Sequence, residues 1–374
     1  MGKWELVKLV KLGDVCEGKS SNIAQKDLVG NEGLYPIYGA SGLIKNVDFY
    51  KYEQEYIAVI KDGAGIGRTI MCEAKSSVIG TMQALIPNES IDYRYMFYAV
   101  SRMGLSKYYT GATIPHIYFK DYKDEKILLP PVDIQKKITA ALDTANALIE
   151  KRKEQIEKLD LLIKSQFIEM FGDPVTNPKG WEIKRLGALT NKITDGVHQK
   201  PIYTTYGVPF ISVANINKGV LNFDDCKFVS EEDYLKMTKS VKPEQGDILY
   251  TKVGATYGIP AFIDTDKRFC LYVSVCLIKP ISELINARFL AISMSMPYIK
   301  RQADERIRGI GVPDLHLNQI SEFNICVPKR VEQEEFVQFV EQVETQKALL
   351  KKSLADMEQN YQSLLQKCFK GEIF

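Results

Sequence analysis

Residues able to do chemistry gather in two glycine-rich loops and in the basic, aromatic segments that follow them. The first loop is Lys61-Asp62-Gly63-Ala64-Gly65-Ile66-Gly67-Arg68, and its companion runs from Lys107-Tyr108-Tyr109-Thr110-Gly111 to His116. Glycines let backbone N–H groups approach an anion such as phosphate closely, while Lys61, Arg68 and Lys107 supply charge and Tyr108, Tyr109 and His116 can pack on a sugar or base. A second set repeats the pattern in Lys252 to Tyr257 and in Tyr298-Ile299-Lys300-Arg301 through Arg306 and Arg308. The stretch Asp195-Gly196-Val197-His198-Gln199-Lys200 adds His198 and Lys200. Such side chains suit duplex DNA, where Lys and Arg take phosphates and polar groups reach base edges. By themselves the loops are equally consistent with tight turns over core tyrosines.

Catalytic readings of the same residues are weaker. Val59 to Gly67 superficially resembles the glycine loop of S-adenosylmethionine-binding methyltransferases, but Lys252-Val253-Gly254-Ala255-Thr256-Tyr257-Gly258 lacks the acid and the middle glycine. No Asp/Asn-Pro-Pro-Tyr/Phe motif occurs anywhere, so an autonomous DNA methyltransferase is disfavoured. Asp62 with Glu73-Ala74-Lys75 loosely fits a magnesium-dependent nuclease, yet the aligned Val253, Asp264, Thr265 and Asp266 do not keep the pattern. No phosphate-binding G-x-x-x-x-G-K-S/T loop is present. His116, His198 and His316 are too scattered to suggest zinc, and the seven cysteines form no C-x-x-C pair, which suits a reducing compartment. No catalytic residue and no metal are expected.

The net charge of +2, from 49 basic and 47 acidic residues, is mild for a DNA binder, so binding would need a concentrated basic face. No apolar run approaches the ~18 residues of a membrane span, and MGKWELVKLVKLGD lacks the apolar core of a leader, which points to the cytoplasm.

What must position these loops is a duplication. Trp4-Glu5-Leu6 and Leu12-Gly13 return as Trp181-Glu182-Ile183 and Leu186-Gly187, and Lys61-x-Gly63-Ala64-x-x-Gly67 returns as Lys252-x-Gly254-Ala255-x-x-Gly258. Thr110 to Pro115 matches Arg308 to Pro313. From there Pro115/Pro313, Pro130/Pro328, Gln135/Gln333, Ser165/Ser363 and Phe171/Phe369 each lie 198 residues apart. The earlier pairs Trp4/Trp181 and Lys61/Lys252 lie 177 and 191 apart, so the second copy carries insertions in its front half. Strands are expected at 56–60 and 247–250, and short helices near 92–103 and 285–302.

Long helices should follow Leu129-Pro130-Pro131 and Val327-Pro328. A 4-3 apolar spacing then runs through Ile138, Leu142, Ala145, Ile149, Arg152, Ile156, Leu159, Ile163, Gln166 and Met170. Its echo is Phe336, Val340, Val343, Lys347, Leu350, Leu354, Met357, Tyr361, Leu364 and Cys368. Only Arg152, Gln166 and Lys347 break this coiled-coil seam. If each globular part has neighbouring ends, the second helix returns antiparallel to the first, the domains sit at opposite ends of a rod, and Phe374 comes back near Met1. The first grid would span ~48 Å at ~1.5 Å per residue, enough to reach successive grooves of DNA with its turn of ~34–36 Å.

Leu-Pro-Pro-x-x-x-Gln at 129–135 and Val-Pro-x-x-x-x-Gln at 327–333, each leading into a long helix, carry a more specific likeness. With Trp181-Glu182, Leu186-Gly187, Asp195-Gly196-Val197-His198 and Gly246-Asp247-Ile248-Leu249, the chain resembles type I restriction-modification specificity subunits along its whole length. The resemblance implies a mixed α/β (α+β) fold of two similar strand-rich target-recognition domains separated by two long antiparallel coiled-coil helices, with pseudo-two-fold symmetry. The segments would be recognition domain 1–131, helix 132–172, recognition domain 173–328 and helix 329–374. It implies no catalysis by this chain: each domain reads half of an asymmetric bipartite site in double-stranded DNA while the helices space the halves. Two methyltransferase subunits dock on the helices and use S-adenosylmethionine, and restriction subunits join to cleave with ATP and magnesium. Glu150-Lys151-Arg152-Lys153-Glu154 and Lys351-Lys352 are candidate docking faces, although charged helix faces are commonly just solvated. The competing class is a two-module protein-binding scaffold, which predicts no salt-sensitive DNA binding.

Overall fold

The computed structural model describes residues 8–111, 115–217, 219–307 and 311–373. The opening Trp4-Glu5-Leu6, the segments 112–114 and 308–310, and the two termini expected to meet lie outside the described residues. The chain divides into two compact units, Met1–Glu154 with Lys351–Phe374 and Gln155–Leu350. Each holds one globular part, half of the helix that leaves it and half of the other helix. The four-segment division read from the sequence follows the order of elements, whereas the contacts cut across both helices, because each globular part covers the nearest turns of each apolar stripe.

In the first unit a four-stranded antiparallel sheet has the order Cys16–Ser20, Met82–Pro87, Tyr56–Ile60, Thr69–Cys72. Tyr-Ile-Ala-Val-Ile is buried at every position, as a strand covered on both faces must be. The pleat sorts its side chains: Ile57 and Val59 face the cluster with Tyr95, Met96 and Val100 of the helix Tyr93–Ser101, and Tyr56, Ala58 and Ile60 face a second cluster with Ile37 and Val78. A three-stranded sheet, Gly42–Val47, Tyr35–Gly39, Ser77–Val78, closes that second core, its last pair parallel.

The second unit repeats the plan with Thr190–Asp195, Val275–Pro280, Ile248–Thr251 and Pro260–Phe262. Ile248 and Tyr250 face one core and Leu249 the other. The helix expected over 285–302 is two helices, Ala287–Met294 and Pro297–Arg306, because Pro297 disfavours helical backbone at Met296 (φ −74°, ψ 149°) and instead starts a new helix.

The long helices are Val132–Phe171 and Arg330–Lys370. The paired glutamines of the shared Pro-x-x-x-x-Gln spacing, Pro130 to Gln135 and Pro328 to Gln333, explain their starts. Gln135 is buried, its Oε1 accepts from the Asp92 N–H (2.7 Å), and its Nε2 donates to the carbonyls of Ser90 (3.0 Å) and Pro130 (2.8 Å). Gln333 does the same with Asn286 N–H (2.8 Å) and Pro328 carbonyl (2.8 Å). Asp92 and Asn286 cap the domain helices, so one side chain fixes the angle between each domain helix and each long helix. Gly172 (φ +77°) and Gly371 (φ +73°) take left-handed backbone where the long helices end. Trp181 Nε1 donates to the Phe171 carbonyl at 3.0 Å, which accounts for one of the motif residues.

Within each unit the two half-helices run antiparallel. In the first, Ile138 and Leu142 share a core with Cys368, and farther along Lys153 meets Glu358 (3.6 Å) and Arg152 donates to Ser353. In the second, Asp160 pairs with Lys347, and Phe167 and Phe171 pack on Phe336. Of the seam residues, Ile138, Leu142, Ile149, Val340 and Val343 are buried, and Ile156, Leu159, Ile163, Leu350, Leu354, Met357 and Leu364 are half-buried. The polar intruders Arg152 and Lys347 are thus hydrogen-bonded or ion-paired across the seam.

Candidate nucleic-acid interface

Both glycine loops are the turns of a hairpin at one end of the four-stranded sheet. In the first unit the hairpin closes with Ile60 N–H to the Arg68 carbonyl (2.9 Å) and Gly67 N–H to the Ile60 carbonyl (2.8 Å). Gly63, Gly65 and Gly67 have φ of +84°, +87° and +83°, a conformation closed to most L-residues. A side chain at Gly67 would also lie 2.7 Å from the Ser106 nitrogen, so the loop is pressed against the turn carrying Lys107 and Tyr108. Gly63 N–H donates to the Pro115 carbonyl (3.1 Å) and Ile117 N–H to the Lys61 carbonyl (2.9 Å).

These contacts bring Lys61, Arg68, Lys107, Tyr108, Tyr109 and His116 together. Arg68, Lys107 and Tyr109 are exposed, while Lys61, Tyr108 and His116 are half-buried. His116 Nδ1 lies 2.7 Å from Asp62 Oδ1, and Lys61 Nζ is 3.6 Å from Asp62 Oδ2. Glu125 receives both the Lys107 ammonium and the Tyr108 hydroxyl, which hold its carboxyl below the usual range.

The second unit uses the same backbone bonds: Thr251 N–H to Ile259 carbonyl (3.0 Å), Gly258 N–H to Thr251 carbonyl (2.8 Å), Gly254 N–H to Pro313 carbonyl (2.9 Å) and Leu315 N–H to Lys252 carbonyl (2.9 Å). The side chains differ. Lys252, expected to face phosphate, is turned inward with 7% of its side chain exposed, between Asp195 Oδ2 and Asp314 Oδ1, each at 3.4 Å. His198 projects into solvent 3.4 Å from Asp195 Oδ1, on a loop whose Gly196 admits no side chain because the Leu271 carbonyl oxygen would be 2.0 Å away. Lys200 lies over the Tyr203 ring.

Tyr257 and Lys300 converge on Asp304, with the Lys300 ammonium 3.8 Å from the Tyr257 ring centroid, and these bonds lower the Asp304 carboxyl, Lys300 first. Arg301 is exposed. Arg306 is half-buried, donating to the carbonyls of Gln302 (2.7 Å) and Glu322 (3.3 Å) beside the Phe323 ring. Arg308 lies outside the described residues. The carboxylates Glu125, Asp304 and Asp314 were not singled out from sequence, since acids among basic residues signal nothing until their partners are known.

Among the described residues no group of three or more His, Cys, Asp and Glu is placed to hold a metal, and no helix is long and apolar enough to cross a membrane. The family model for the type I restriction modification DNA specificity domain matches residues 3–158 and again 178–359. The chain belongs to that family. It is similar to the Type I restriction enzyme MjaVIII specificity subunit of Methanocaldococcus jannaschii, 23% identical over 99% of this chain and 93% of the relative. The EcoBI specificity subunit of Escherichia coli is 22% identical over 98% of this chain and 80% of its own. Among solved structures, the type I restriction-modification S subunit from M. genitalium shares the fold at a TM-score of 0.60 and 17% identity, covering 97% of this chain and 96% of that one. A chain from a study of complex assembly in the type I system aligns at 0.62, with 16% identity over 99% of both. The specificity subunit is therefore duplicated in its family match as well as in its hydrogen bonds.

Proposed function

We propose that this specificity subunit reads an asymmetric bipartite site in double-stranded DNA, one half per unit, and contributes no catalytic group of its own. The observation that carries the reading is the pair of glycine loops, held by matching backbone bonds yet surrounded by different side chains: Arg68 in the first with Tyr109 and His116 beside it, and Tyr257 in the second with Arg301 on the neighbouring helix and His198 and Lys200 on the loop whose Asp195 pairs with Lys252. A common scaffold with divergent surface groups suits two similar tasks on two different sequences. The long helices space the halves and dock two methyltransferase subunits, which use S-adenosylmethionine; restriction subunits, with ATP and magnesium, join in assemblies that cleave. The complex works in the cytoplasm.

The test is to assemble the full chain with its methyltransferase partner and map methylated adenines across a genome by single-molecule sequencing. One bipartite motif is expected. Methylation by the isolated chain would overturn the non-catalytic reading, and methylation without any motif would overturn sequence reading by this subunit.

A further inference from the structure

Each unit places a lysine, a tyrosine and a carboxylate in one cluster beside its glycine loop. In the first, Lys107 and Tyr108 lie on the short turn Leu105–Tyr108 and share Glu125, which precedes the strand Lys126–Leu129. In the second, Tyr257 comes from the glycine loop itself, and Lys300 and Asp304 stand one turn apart on the helix Pro297–Arg306. The two clusters use positions that do not correspond in the duplication, so they are not one inherited feature copied into both halves. Folding stability does not account for them, since exposed ion pairs contribute little, and the side chains of Lys107 and Lys300 remain 53% and 43% exposed.

Resting on the DNA-reading function above, we infer that Glu125 and Asp304 are specificity-determining residues: each holds a lysine and a tyrosine away from passing phosphates, so that off-site DNA gains little from them. A lysine paired with a carboxylate has its charge offset, so a phosphate that approaches it meets the repulsion of the carboxylate along with the attraction of the ammonium. Sequence-independent affinity is made almost wholly of such phosphate contacts. Withholding two of them lowers off-site binding, and base contacts at the true site then decide residence.

The experiment compares wild-type, Glu125→Gln and Asp304→Asn chains, each assembled with the methyltransferase subunits, on a duplex of random sequence and on one carrying the methylated motif. Both substitutions keep side-chain shape and an acceptor for the tyrosine hydroxyl. Each should tighten binding to random duplex and steepen the dependence of log affinity on log salt by about 0.9. The variant-to-wild-type affinity ratio should therefore be about 3.5-fold larger at 50 mM than at 200 mM salt. Lys107→Met should change the wild-type slope little but return the Glu125→Gln slope to that of wild type, a result that a structural role for Glu125 would not give. Unchanged slopes in variants of normal thermal stability, or weaker binding, would overturn the inference. If the wild-type complex itself shows no salt-dependent DNA binding, the DNA-reading function falls and this inference falls with it.

Discussion

The two units differ least in backbone and most in the ions beneath their glycine loops. Gly63 to Pro115 and Gly254 to Pro313 are the same bond, as are Ile117 to Lys61 and Leu315 to Lys252. Below those bonds the first unit sets a half-exposed acid, Asp62, against His116, and the second buries Lys252 between Asp195 and Asp314. Aspartate 314 occupies the place of His116, both forming the isolated bridge that closes the loop. The difference separates two jobs: glycine and proline backbone fix where the loop stands, and interchangeable charges decide how firmly its neighbours are held.

The largest effect that would break this comparison is expected at Lys252. Lys252→Met leaves two carboxylates facing each other without their cation, and removing one partner of a buried ion group costs about 3–5 kcal/mol. The low end applies, because the Asp314 side chain is 46% exposed. Lys61→Met takes one cation 3.6 Å away from Asp62, which keeps its 2.7 Å bond to His116, and should cost less, about 1–2 kcal/mol. Thermal unfolding of the two variants reads the contrast, and equal losses would remove it. Mapped methylation should also show the second half-site blurred by Lys252→Met while the first stays intact.

Gln135 and Gln333 sharpen the opposite side of the comparison, since they do one task in both units. Replacing either by Leu strands a part-buried N–H of the helix cap and a buried carbonyl, at about 1 kcal/mol each, the low end for a group left unpaired. Calorimetry should give matching losses for the two substitutions. A large loss at one and none at the other would mean that the equivalence of the latches is only geometric.

How far the sequence alone could see follows from where partners lie along the chain. The strand at 56–60, the helix starts after Pro130-Pro131 and Pro328, and the pairing of Pro115 with Pro313 were legible, because periodicity, proline and a constant offset are local signals. The insertion was legible too: Tyr35–Gly39 turns into Gly42–Val47 through two residues, whereas Val208–Ile211 reaches Lys227–Val229 through the extra hairpin Ile216–Asn217 and Val220–Leu221. Lys252 was not legible. A lysine beside a glycine loop reads as surface, and its acids come from opposite sides in sequence, at 195 and 314. The same holds for Arg306, whose acceptors include the Glu322 carbonyl in a different element.

Asp62→Asn tests the first unit's half of the contrast. It keeps the shape and an acceptor beside His116 but removes the charge, and the stability loss should be about 1 kcal/mol. The methylated motif should change in one half only. A change in both halves would mean that the units do not read independently.

The smallest loss of stability is expected at one of two arginines five residues apart on one helix. Arg301 is exposed and Arg306 is bonded to two carbonyls and laid beside the Phe323 ring. Arg301→Ala should leave the melting temperature within error and make the dependence of log affinity on log salt shallower by about 0.9, the signature of one lost phosphate contact. Arg306→Ala should do the reverse, costing about 1–2 kcal/mol of stability by freeing the Glu322 carbonyl and the ring while leaving the salt slope alone. If Arg306→Ala flattened the slope instead, the helix would have to present that arginine to DNA. The second unit's reading face would then extend beyond the loop and Arg301 to the helix end.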